Sequence, residues 1–574
     1  MGVGVLSRPS PARSRGGRPA GQEIGASGLS IWPLIAGIAV AMTVPLAILV
    51  SRSLRAGAVA GSFGFDGFGA NFLYLVSQPV YQEVMLRTLW QSVAATVICV
   101  AVAYGCALAL RSFDRGRDVW ALLLLVAFVT GPLINVIGWM GLFVAGMPGY
   151  EVVNGIRAIT GAEQGRVLDT EIAEFVGIVH FVLPFALLTM APVMARVPTS
   201  LEQASRTLGA SRWHTFTRIV WPFTRGSVAS AAALSLALAA SSYVAPQYLG
   251  GSRNMVMTTL VSQLMGSFAP ELAASAGVIL LLASLPLLIL YVVFGSRGGV
   301  AARETTSRRE APYVRFPKTV SGVLLGATVL FLDAPLLVAA FQSVNDTTAF
   351  PAPFQGFTLE WYGRLFAYQP FVEGFRNSLV LAVSSTAIAL ALSGLAAFAI
   401  VRGPAWARRP WILAITTGPT IVPQIVIGLA LLQFANAIAL GLGWWTLIVA
   451  HGLLIAPFML RILQPSVATV DARFEQAAAT LGSARWRTAA AVVLPQLRSA
   501  LFAAAMVGFT LSFINLPISL FLGTPATRTL PLAISEYMST RLDPLVACYA
   551  TVQAIACIVL LAIAQRYARL RLLS

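Results

Sequence analysis

Residues 202–225 read EQASRTLGASRWHTFTRIVWPFTR, and residues 475–498 read EQAAATLGSARWRTAAAVVLPQLR. The two stretches stand 273 residues apart throughout, and 12 of their 24 positions are identical. A repeat at this distance divides the 574 residues into two matching halves. The same offset pairs Pro184-Phe185 with Pro457-Phe458, and Pro192 with Pro465. Gly131-Pro132 and Gly418-Pro419 also correspond, at a shifted offset that a longer loop near 146–172 absorbs.

Around these loops the chain is overwhelmingly apolar. Hydrophobic residues make up 57% of it and charged residues only 11%, against about 25% charged in an ordinary soluble domain. That excludes most soluble enzymes and disordered proteins. A membrane-crossing helix needs roughly 20 apolar residues. Six such runs precede the middle of the chain, near 31–50, 86–111, 119–145, 173–195, 226–250 and 273–295. Six follow it, near 319–342, 377–401, 411–436, 442–463, 499–522 and 546–565. Residues 1–30 are rich in Arg, Gly, Ser and Pro and read as a disordered basic arm. The organisation predicted is that arm, a first unit over 31–295, a linker over 296–318 and a second unit over 319–574.

The net charge is +17. In a soluble protein it would suggest nucleic acid; here it reads as topology. Segment 296–318 carries Arg297, Arg303, Arg308, Arg309, Arg315 and Lys318 against Glu304 and Glu310. Loop 343–375 carries Arg364 against Asp346, Glu360 and Glu373. Basic loops stay on the cytoplasmic side. Both termini, and both repeated loops between the fourth and fifth runs of each half, are therefore expected there. Cys99, Cys106, Cys548 and Cys557 lie inside apolar runs without metal-type spacing and read as small core residues.

The repeated loop is too polar for lipid and too patterned for a tether. Thr199 and Glu202 have capping-box spacing after Pro198. They predict a short helix over Leu201–Leu208, stopped at Gly209 in a left-handed conformation. A second short helix is expected from Ser211 to before Pro222. In the other copy Asp471 is the expected cap, followed by Phe474–Leu481, Gly482 and Pro495. Glu202 has Arg206 at i+4, but Glu475 has Ala479 there. A local helix pair therefore explains only one of the two glutamates; a cap or an external Arg/Lys partner, in contact with another protein, explains both.

This pattern, Glu-x-Ala with Gly seven residues after the Glu and Pro thirteen beyond that, resembles the EAA loop of inner-membrane permeases of ATP-binding-cassette importers. It occurs twice, as Glu202, Ala204, Gly209, Pro222 and as Glu475, Ala477, Gly482, Pro495. The resemblance implies an all-α membrane protein of two six-helix importer-permease (MetI-like) units fused in one chain, with about twelve spans in a bacterial inner membrane. It implies that each loop is a coupling helix docked on a dimer of a separate ATPase, with Glu202 and Glu475 in contact with it. ATP would be bound on that partner, and solute would arrive on an extracytoplasmic binding protein. Consistently, the sole lysine, Lys318, lacks the Gly-rich setting of a phosphate-binding Walker A loop. No nucleophile-and-base motif is present either, so the chain is not expected to be an enzyme or to carry a cofactor of its own.

Ser241–Gly251 (SSYVAPQYLGG), Leu511–Leu532 and Arg541–Ala547 resemble the corresponding segments of spermidine/putrescine-type permeases. A polyamine or related organic cation is the expected solute; iron(III) or thiamine is the alternative, since fused permeases also occur among those importers. Polar residues at membrane depth are the pathway candidates: Tyr243, Asp333, Gln424 and Asn515. Asp333 lies mid-run in LFLDAPLL, where a charge costs roughly 2.5–3.5 kcal/mol, so it is expected to face the bundle interior, paired or touching solute. A twelve-helix secondary transporter is the reading from another class. Asp114–Arg117 resembles a loop motif of that class, but lacks its preceding Gly, and the repeated loop has no role there.

Overall fold

The structure is a computed structural model. It describes residues 32–568 apart from 56, 63, 65, 66, 114, 115, 162, 298–311, 404, 410, 411, 413, 414, 417 and 421. The predicted arm over 1–30 and most of the linker lie outside the described residues.

Among the described residues the chain is helical, with one isolated β-bridge between Asn345 and Phe357. Eight helices are long and apolar enough to cross a bilayer: α1 Ile35–Ser53, α2 Pro79–Leu110, α4 Glu171–Ala195, α5 Arg212–Ala240, α7 Lys318–Gln342, α8 Gln369–Arg402, α10 Trp444–Thr469 and α11 Trp486–Phe513. A ninth, α3, is broken: Val119–Thr130 and Pro132–Leu142 meet at 98°. The remaining three, α6 Pro270–Arg297, α9 Gln424–Ala437 and α12 Leu545–Ala568, carry shorter apolar stretches. Six segments per half thus stand at the places the apolar runs assign.

Several boundaries differ from expectation, among them that of α9, which begins at Gln424 inside the run placed at 411–436. The fifth helix of each half ends at Ala240 and Phe513, about ten residues early. The apolar residues that follow turn back inward as a π turn, Pro246–Gly250, and a short helix, Pro517–Leu522. The loop's second short helix also fails to stop before Pro222. It runs on into α5 through a π turn, Phe216–Val220, and the other copy does the same through Ala489–Val493. Proline clashes with the carbonyl four residues back, and a wider turn just ahead of Pro222 and Pro495 relieves that clash without ending the helix.

Packing interlocks the halves. α1 lies between α6 of its own half and α9 of the other, and α7 lies between α12 and α3. Matching hydrogen bonds pin both: Ser275 Oγ donates to the Ser53 carbonyl (3.0 Å), and Cys548 Sγ donates to the Ser343 carbonyl (3.1 Å). The sequence boundary at 296–318 is therefore not a spatial one. α2 and α8 present Leu86, Leu89, Val93, Leu379, Val380 and Val383 on exposed outer faces, as lipid contact requires.

The ends of the second helices are built alike. Arg87 donates to the carbonyls of Arg253 and Met255, and Asn377 to those of Ala526 and Arg528. Thr88 and Ser378 each accept from a backbone N–H of the same segment, at Met257 and Leu530. These bonds hold the segment after each fifth helix, which forms part of the central cavity.

Candidate functional site

The repeated loops fold into helices Thr199–Thr207 and Ala472–Thr480. Each ends at a glycine in the left-handed region, Gly209 with φ of 78° and Gly482 with φ of 75°. A side chain is strained there, which accounts for glycine at both positions. Asp471 caps the second helix as expected, accepting from the Arg473 N–H at 2.9 Å.

The first helix departs from the capping box. Pro198 occupies the cap without a side-chain bond, and Glu202 turns inward. Its carboxylate pairs with Arg111, at the end of α2, and accepts the Val314 N–H at 2.9 Å. Glu475 faces Arg402, at the end of α8, at 3.4 Å. The cation facing each glutamate is thus an arginine of this chain rather than of another protein. Glu202 is fully buried with both oxygens engaged, so the expectation that it touches a partner is corrected. A carboxylate withdrawn from water must be paired and hydrogen-bonded, and Arg111 and Val314 do both.

The faces left exposed are apolar and match between copies. Leu201, Ala204 and Leu208 lie at i, i+3 and i+7 on one helix, with Phe474, Ala477 and Leu481 on the other. Leu208 and Leu481 are 86% and 87% exposed, and Trp213 and Trp486 continue the two patches at 72% and 69%. Side chains of this size so fully in water mark an interaction surface.

A second site lies between the halves. Repeat-related residues line a central cavity from both sides, including Phe185 with Phe458, Leu238 with Leu511, and Ser242 with Asn515. Gly131-Pro132 and Pro419 border it, so the Gly-Pro pairs matched in the sequence stand where the third helix of each half breaks or begins. Three of the four pathway candidates meet here. Asn515 Nδ2 donates to Gln424 Oε1 (2.8 Å), and Asn515 Oδ1 accepts the Ile518 N–H (3.1 Å). Tyr243 is buried, its hydroxyl 3.3 Å from Ser262 Oγ.

Asp333 does not join them. It lies on α7 away from the cavity, and its Oδ1 is buried without a hydrogen-bond partner among the described residues. Sequence reasoning missed Arg111, Arg402 and Val314 at the loops, and Asn135, Trp139 and His180 in the cavity. The available signal was positional: Arg111 and Arg402 each close a long apolar run, and Asn135 follows the Gly-Pro break.

Two interlocked halves, each with six helical segments and one patterned loop bearing an exposed apolar face, define a polytopic permease built as a fused pair. The chain belongs to the family described as binding-protein-dependent transport system inner membrane component, which matches residues 101–298 and again 389–572. Both matches begin inside the second helix of a half, so the interlocking α1 and α7 lie outside them. Among relatives, a probable ABC transporter permease protein, y4fN, of Sinorhizobium fredii is 26% identical over 366 residues, 61% of this chain and 64% of that one. The chain therefore spans just under two thirds of that relative. The spermidine/putrescine transport system permease protein PotC of Escherichia coli is 26% identical over 44% of this chain and 95% of its own length. The putrescine transport system permease protein PotI of the same species is 27% identical over 42% and 86%. A solved bacterial ABC transporter involved in alginate import is 17% identical, covering 43% of this chain and 95% of its own, with a TM-score of 0.35. The chain is thus an ABC transporter permease, a multi-pass inner-membrane protein of a transport family rather than an enzyme family.

Proposed function

We propose that this chain supplies both permease units of an ATP-driven importer. A dimer of a separate ATPase subunit binds at the cytoplasmic end, and an extracytoplasmic binding protein delivers the solute. The observation that carries this reading is the matched pair of exposed apolar faces, Leu201, Ala204 and Leu208 with Phe474, Ala477 and Leu481. Two equivalent docking faces suit a symmetric pair of ATPase subunits, on which ATP is bound and hydrolysed.

The solute is a polyamine or a related organic cation. The named substrates of PotC and PotI support this. The cavity offers the neutral amides of Asn135, Gln424 and Asn515 and the aromatic faces of Trp139, Phe181 and Phe458, and such faces attract ammonium groups. None of the described lining residues is a carboxylate, a composition suited to passage rather than tight binding. Selectivity then rests mainly with the binding protein.

Cells expressing this chain with its ATPase and binding protein are expected to accumulate labelled putrescine or spermidine. Competition by thiamine or iron(III), with no effect of polyamines, would overturn the substrate assignment. Asn515→Leu removes two hydrogen bonds inside the bundle. Such bonds average about 0.6 kcal/mol and reach about 1.7 kcal/mol. Thermal unfolding is therefore expected to shift little while the uptake rate falls severalfold; unchanged uptake would remove Asn515 from the pathway.

A further inference from the structure

A second cavity, of about 600 Å³, lies at the end of the bundle away from the repeated loops. α4 joins the two ends, running from Glu171, just past the cavity-lining Asp169, to Ala195, just before the first loop. The volume is that of a small-molecule site. Both halves supply its walls: Tyr150, Arg166 and Asp169 come from the long loop of the first, Phe350 and Leu542 from the second.

This cavity and the central one are neighbours. Trp139 borders the central cavity and Met140 the outer one, and Tyr243 and Tyr248 divide in the same way. Tyr248 also bonds across to the other half, its hydroxyl 2.6 Å from Ser535 Oγ.

Asp169 is the one carboxylate among the described lining residues. Its backbone is in the left-handed region, with φ of 62°, which Asp and Asn tolerate better than other side chains. Two bonds hold it there: its N–H donates to the Leu249 carbonyl (2.9 Å), and its own carbonyl accepts from Asn254 Nδ2 (3.0 Å). The counter-ion is far more open to water. Arg166 Nη2 lies 2.6 Å from Asp169 Oδ2, with the two side chains 76% and 47% exposed. So exposed a pair adds little stability, and another cation can replace Arg166 with the charge still balanced.

We propose that this cavity receives an ammonium group of the solute, which displaces Arg166 from Asp169 and lies against the rings of Phe143, Tyr150 and Phe350. Those rings attract ammonium groups as the carboxylate does. The inference rests on the importer reading above, in which solute arrives at this end. The wall bearing Met140 and Tyr248 then separates the captured solute from the central cavity.

The full chain carrying Leu542→Cys, in lipid nanodiscs, tests this with putrescine as the probe. Leu542 lines the cavity and is 44% exposed, while the four native cysteines are buried, so maleimide labelling reports on the cavity. Putrescine is expected to slow the labelling, and the uncharged diol of the same chain length is not. Adding Asp169→Asn, which suits the same backbone, is expected to raise the half-protecting concentration about tenfold. Adding Arg166→Gln is expected to lower it about threefold. A merely structural ion pair would make the two substitutions act alike, and that result would overturn the proposal. No protection in a chain that still takes up putrescine in cells would overturn the receiving site alone. No protection together with no polyamine uptake would overturn it along with the substrate assignment.

Discussion

Glu202→Ala is expected to destabilise the chain by about 3–5 kcal/mol, the range for removing one partner of a buried ion pair. The cost arises from what is left behind. Arg111, its side chain only 6% exposed, would keep its charge without a counter-ion, and the Val314 N–H would lose its acceptor. Glu475→Ala is expected to cost far less, about 1 kcal/mol or below, because that pair is longer at 3.4 Å and its side chains are 20% and 14% exposed. Thermal unfolding of the two purified variants should therefore differ widely. Adding Arg111→Ala to Glu202→Ala should recover part of the loss, since the orphaned charge goes too. Equal shifts for Glu202→Ala and Glu475→Ala would contradict the asymmetry between the loops.

Gly138→Ala is expected to be as damaging, at about 3 kcal/mol, the upper part of the overpacking range. A Cβ at Gly138 would stand 1.9 Å from the Pro335 carbonyl oxygen on α7. That atom is backbone, so relief requires the two helices to separate, and they come from opposite halves. Gly508→Ala is the informative contrast. Its Cβ would meet Met459 Cε at 2.0 Å, but a thioether end swings aside, so a shift below about 1 kcal/mol is expected. At Gly322 nothing lies within 4 Å, and Ala there is expected to be neutral or stabilising by about 0.5–1 kcal/mol. Folded yield and unfolding temperature in detergent rank the three variants.

The legible part of the fold was what period, repeat and punctuation encode. Apolar runs located twelve segments because bilayer thickness fixes their length. Gly209 and Gly482 stopped their helices because only glycine is unstrained there. Gly131-Pro132 marked the break in α3, and Gly418-Pro419 the turn that precedes α9. The illegible part depended on long-range packing. Arg111 lies 91 residues before Glu202, and Val314 lies 112 residues after it, whereas local spacing speaks only to neighbours three or four apart. The end of α5 was misplaced because YVAPQYLGG continues the apolar run although the helix has already ended at Ala240 and the chain turns at Ser241–Tyr243. The crossing of α1 and α7 onto opposite halves had no signal, since a uniformly apolar helix does not specify which neighbour it meets. In the cavity, Tyr243, Gln424 and Asn515 were found because polar groups at membrane depth stand out. Asp333 stood out equally but lies elsewhere.

The central claim is that the two repeated loops are the docking points of an ATPase. The most direct measurement is co-purification of that ATPase with Leu208→Asp/Leu481→Asp. Both side chains are almost wholly exposed, so the variant should unfold at the wild-type temperature. The wild-type chain is expected to carry two ATPase subunits, while the double variant is expected to carry none and to lose ATP-driven uptake. Retention of both subunits with full uptake would contradict it.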